Sequence, residues 1–186
     1  MPQALQILDQ VSVVAFAAVA ILAALGDWSR FIIPNRLSLA VLGMWAVHAL
    51  VLAMQGYPLM FIVWSVAGAL ATFVVGFGLF ATRLLGGGDV KFLAAAALWA
   101  GPDFIVPFIL IVTVAGALLG LAFLIPGIGH SPDETPSVDG ATGVEPAAPG
   151  VATAGRLGRK MPYGLAIAVG CLAIALHLLN GLRTGG

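Results

Sequence analysis

Long apolar segments, broken only by short connections that hold nearly all the charge, decide what this 186-residue chain can become. The segments fall near residues 7–26, 37–55, 58–82, 90–101, 104–125 and 162–182. Five are long enough to cross about 30 Å of hydrocarbon at about 1.5 Å per residue. The fourth would cover only about half that depth. Inside a bilayer every backbone polar group must be satisfied locally, so the segments are predicted as helices. A composition 61% hydrophobic and 9% charged excludes an ordinary soluble domain, in which roughly a quarter of residues carry charge. The expectation is an all-α integral membrane protein, a single domain over residues 1–186 with six transmembrane helices and a short helix 4.

The basic residues orient it. Arg30 and Arg36 separate the first two segments, Arg83 and Lys91 the third and fourth, and Arg156, Arg159 and Lys160 precede the sixth. Only Arg183 lies elsewhere. The positive-inside rule then puts the three odd-numbered connections in the cytoplasm and both termini on the non-cytoplasmic side. This arrangement requires the short fourth segment to cross, in thinned bilayer or a protein-lined cavity. The stretch before Val13–Leu25 contains Asp9 and no Lys or Arg, so the basic start of a signal peptide is lacking and the first segment is predicted to remain as a helix. Residues 126–160 are rich in Pro, Gly, Ala, Ser and Thr and bury too little to offset ordering entropy, which predicts a polar, disordered cytoplasmic loop.

Net charge is zero and no basic run is present, so nucleic acid is not an expected partner. Cys171 stands alone in an apolar run and is expected as a small core side chain. His48 and His177 are expected as packed or interfacial, and no metal or cofactor is expected. Trp28, Trp45, Trp64 and Trp99 mostly fall near segment ends and are read as interface anchors.

Ionisable groups at membrane depth are costly and read as functional by default. Asp27 closes the first segment and Asp89 opens the fourth, which places both at the cytoplasmic boundary. Two carboxylates held a few ångströms apart cannot both ionise easily and share a proton. One then takes a proton from water while the other polarises a scissile carbonyl. Gly86, Gly87 and Gly88 precede Asp89. Glycine there would let an extended substrate strand lie beside the acid, and the same four residues also suit a tight turn with Asp89 as N-cap.

Three motifs in order carry a resemblance. Asp27 is followed by Ile33-Pro34-Asn35-Arg36. Next comes Gly86-Gly87-Gly88-Asp89-Val90-Lys91, and then Met161-Pro162-Tyr163-Gly164. Together they resemble the type IV prepilin peptidase family of Gly-x-Gly-Asp aspartic proteases, in a size like its compact Tad/Flp-pilus branch. The resemblance implies a bacterial inner-membrane endopeptidase whose active site lies at the cytoplasmic face. It would remove the basic leader of type IV, Flp-like prepilins, with Asp27 and Asp89 as catalytic acids. Gly86, Gly88, Lys91, Pro34, Asn35, Arg36, Pro162, Tyr163 and Gly164 would be motif or support residues. The implied partners are a prepilin, with its basic leader and apolar N-terminal helix, and the lipid bilayer; a homo-oligomer is left open. The larger members' pair of CxxC motifs is lacking, which argues against methyltransferase activity. Asn35 is expected either to cap the second helix or to hydrogen-bond near the acids, and Lys91 either to influence Asp89 or to reach lipid headgroups. The alternatives weighed are an inactive pilus or secretion assembly component, a small transporter and a preflagellin or presenilin-like protease.

Overall fold

A computed structural model describes residues 3–30, 33–82, 84–124 and 163–184. Their regular structure is entirely helical: α1 (Gln3–Arg30), α2 (Asn35–Met54), α3 (Leu59–Ala81), α4 (Gly87–Leu124) and α5 (Tyr163–Thr184). All five are long and apolar enough to cross a membrane. The expected loop at 126–160, together with Arg83, Met161 and Pro162, lies outside the described residues.

The six expected helices appear as five elements, because α4 joins two helices across a kink. The fourth and fifth apolar segments form one element, α4, of 38 residues. That length would rise about 57 Å if straight, nearly twice a hydrocarbon core. It is not straight, because Gly101 adopts φ 61°, ψ −179°, a conformation essentially reserved for glycine. Pro102 follows at the first position of the renewed helix, where its missing N–H costs no bond. Packing shows the reversal. Before the break, Val90 lies against Gly76 and Gly101 against Phe61, so residues 87–100 run antiparallel to α3. After it, Phe104 stacks on His177, Phe108 and Val112 press on Gly170, and Gly116 meets the Tyr163 ring. The second half of α4 therefore returns along α5 towards the end where α4 began.

Small residues let these backbones approach, as expected where apolar burial alone gives no drive between helices. Ala95, Ala96, Ala97 and Ala100 of α4 are buried in the core, and Ala20, Ala23 and Ala175 belong to the same cluster. The larger members include Phe16, Phe92, Phe108, Ile167 and Ile174, and Cys171 is fully buried among them. Trp99 is not an interface anchor. It is buried, stacks on Phe16 and His48, and donates its Nε1–H to the carbonyl of Val41 at 3.1 Å. The indole N–H has a partner inside the bundle and needs no headgroup.

Candidate active site

Four chain segments meet at one end of the bundle: the last turn of α1, residues 33–35 leading into α2, the start of α4 and the start of α5. On α1 the buried stripe runs Asp9, Ser12, Val13, Phe16, Ala20, Ala23, Ala24 and Asp27, the spacing of one helix face. Asp27 is therefore turned into the bundle and is 3% exposed. Its Oδ2 accepts the backbone N–H of Gly164 at 2.7 Å. α1 continues one turn past Asp27, to Arg30, so this acid lies within the helix.

Asp89 arrives from the opposite direction. The helix α4 starts at Gly87, which makes Gly86 its N-cap and Asp89 its third helical residue. The Asp89 carboxylate reaches back to accept the Gly86 backbone N–H, which is half of a capping box. The expected N-cap role thus belongs to Gly86, and the acid caps from N3. A side chain at Gly86 would have its Cβ 2.7 Å from Asp89 Oδ2, and one at Gly88 would stand 3.0 Å from the Ile33 carbonyl oxygen. The glycines bring α4 close to the chain entering α2. Asp27 acts electrostatically on Asp89, and Asp89 on Tyr163, so the two acids and the phenol share one neighbourhood.

A cleft of about 410 Å³ opens beside Asp89, lined by Ile33, Pro34, Asn35 and Gly86–Gly88. Pro34 is the extended N-cap of α2 and supplies no side-chain cap; Asn35 does not cap the helix either. The Asn35 Oδ1 instead accepts from the Lys91 Nζ at 3.3 Å, joining the start of α2 to the start of α4. Lys91 and Arg36 are exposed. Among the described residues Lys91 makes no ion pair with Asp89, and the one close contact between a carboxylate and a basic side chain, Asp9 with His48, is elsewhere. Among the described residues no three His, Cys, Asp or Glu side chains converge as metal ligands.

A second polar cluster escapes sequence reasoning. About 27 Å along α1 from Asp27, Asp9 pairs with the Nδ1 of His48 at 2.5 Å, and both are buried. Here a cavity of about 220 Å³ is lined among others by Asp9, His48, Asp103 and His177. His48 is packed, as expected, but paired. The available signal was Asp9 itself, an acid inside an apolar helix on the same stripe as Asp27.

These features define a helical, multi-pass type of chain with two acids from separate helices brought to one end beside a cleft. The chain belongs to the type IV leader peptidase family, whose model matches residues 14–121. That stretch contains both acids and the Ile33–Arg36 segment, and it ends before α5. No curated protein and no solved structure matches the chain. Family membership implies protease activity of the leader-peptidase kind.

Proposed function

We propose that this protein is an aspartic endopeptidase of the bacterial inner membrane that removes the basic leader of Flp-like prepilins at the cytoplasmic face. The observation that carries the reading is the meeting of Asp27 and Asp89, from helices distant in sequence, beside a cleft walled by glycines and the Ile33–Asn35 backbone. An extended peptide in that cleft brings its scissile carbonyl to the acid pair. The ionised carboxylate takes a proton from water as the water oxygen adds to the carbonyl carbon, and the protonated carboxyl gives its proton to the carbonyl oxygen. Collapse of the resulting gem-diol breaks the C–N bond: one diol hydroxyl returns its proton to the second carboxylate as the C=O re-forms, and the leaving amine takes the proton held by the first. Both acids leave the cycle as they entered, with no cofactor required.

The side assignment rests on charge. Arg30, Arg36, Arg83 and Lys91 flank the acid-pair end in sequence, and Arg156, Arg159 and Lys160 precede α5 at that same end. A leader that is basic and cytoplasmic, followed by an apolar helix in the bilayer, presents its junction at this level. Tyr163, Gly164 and the Asn35–Lys91 contact support the geometry.

Co-expression with an Flp-type prepilin tests the reading, with the mature N-terminus read by mass spectrometry. Wild type is expected to cut, and inserted Asp27→Asn and Asp89→Asn to lose about 10³-fold or more in rate. Full activity in either variant overturns the two-acid mechanism. Failure of wild type across a panel of pilin precursors favours a non-catalytic assembly role.

A further inference from the structure

Asp27 stands at an electrostatically poor address on its own helix. It lies in the last turn of α1, where the helix dipole presents partial negative charge to a carboxylate. The compensation comes from another helix. Gly164 is the second residue of α5, and its N–H is one of the donors a helix start leaves without an internal partner. Asp27 accepts that N–H at 2.7 Å and so acts, across the bundle, as an N-terminal cap for α5. The contact also leaves no space. A Cβ at position 164 would stand 2.8 Å from Asp27 Oδ2, 2.9 Å from its Cβ and 3.0 Å from its Cγ. All three atoms belong to a short side chain on a buried helix face, so none can move far.

The same device occurs at the other acid. Gly86 donates its N–H to Asp89, and a Cβ there would meet Asp89 Oδ2 at 2.7 Å. Each carboxylate is thus seated on a glycine whose N–H holds it and whose missing side chain admits it. The two seats differ in origin. Gly86 is three residues from its acid, whereas Gly164 is 137 residues from Asp27 and lies beyond the stretch matched by the family model.

We propose that Gly164 is the positioning residue for Asp27: docking of the α5 start sets the orientation of this carboxylate in the reacting pair. The inference rests on the proteolytic reading above. Tyr163, whose ring packs closely on Gly116 of the returning half of α4, locks the α5 start from the other side. Placement of Asp27 therefore depends on the full α4–α5 hairpin and not on α1 alone.

The test combines cleavage kinetics with thermal unfolding of the full chain in detergent. Gly164→Ala is expected to lower kcat at least about 100-fold with KM within about twofold, because an acid displaced by about an ångström is lost to chemistry before it is lost to binding. Gly26→Ala, one residue from Asp27 but with nothing within 4 Å of the added Cβ, is the control expected to keep wild-type kcat. Gly164→Ala should also lower Tm in the wild-type background and not in an Asp27→Gly background, where the space is vacated. If Gly164→Ala does not insert, recovery of insertion by the double variant gives the same support. Full kcat in Gly164→Ala while Asp27→Asn is dead overturns the inference and leaves the protease reading intact. An equal Tm loss in both backgrounds overturns the contact on which it rests. A wild type that cuts no precursor removes the catalytic use, and the thermal coupling then decides the contact alone.

Discussion

At the residue scale the site is governed by close backbone approach. Gly88 is the clearest case outside the acids' own seats. An added Cβ would stand 3.0 Å from the Ile33 carbonyl oxygen, a backbone atom that cannot rotate away. Gly88→Ala is therefore expected to push the Ile33–Asn35 wall off α4, reshaping the cleft while leaving both carboxylates on their helices. Prepilin cleavage assayed across substrate concentration should show KM rising more than kcat falls; an unchanged KM would mean the wall is not part of substrate binding. Lys91 makes a contrasting prediction. Its hydrogen bond to Asn35 is long and exposed, so Lys91→Met should cost no more than about 0.5 kcal/mol in a denaturation experiment. Asp27 and Asp89 stand out in the sequence as carboxylates at a membrane boundary, a signal that Asp9 shares, and it is the three motifs that single them out as the candidate pair. Their seats could not be read from sequence, since a hydrogen bond between positions 27 and 164 leaves no mark on local pattern.

At the element scale α4 shows where apolar periodicity stops being informative. The run from Val90 to Leu124 is apolar except for Lys91, Asp103 and Thr113, so hydropathy alone sees segments and not the path between them. Gly101-Pro102-Asp103 marks a boundary, and a boundary between two helices was legible there. What sequence could not supply was that a single residue at φ 61° makes the turn. Gly101→Ala is expected to destabilise the protein by about 2 kcal/mol from backbone strain, checked by thermal unfolding in detergent. Its added Cβ would stand 3.0 Å from the Phe61 ring. The α1–α2 contact gives a second test. Asp9 and His48 are both buried, and removing one leaves the other without its partner. Asp9→Ala or His48→Ala should each cost about 3–5 kcal/mol. The double change Asp9→Leu with His48→Phe should cost less than either, because no buried polar group is stranded. A double variant as unstable as the sum of the single ones would show that the two side chains contribute independently and that neither is stranded by loss of the other.

At the scale of the whole molecule the two polar sites divide the protein by depth. The acid pair and its cleft occupy one end; the Asp9–His48 pair and its cavity lie towards the other, with the α2–α3 turn beside them. If basic connections mark the cytoplasm, the Arg36 end faces inward and the Tyr57 end outward. Cys171 is fully buried, which leaves little background for thiol labelling. Tyr57→Cys at the α2–α3 turn and Arg36→Cys beside the cleft are both exposed positions. A membrane-impermeant maleimide applied to intact cells with a permeabilised outer membrane is expected to label the cysteine at 57 and not that at 36. Inverted inner-membrane vesicles should give the reverse. Because Asp27, Asp89 and Arg36 share one end, labelling at 36 from outside would put the acids on the wrong side for a basic leader that stays in the cytoplasm. Leader removal at the cytoplasmic face would then have to be abandoned, whatever the acids do chemically.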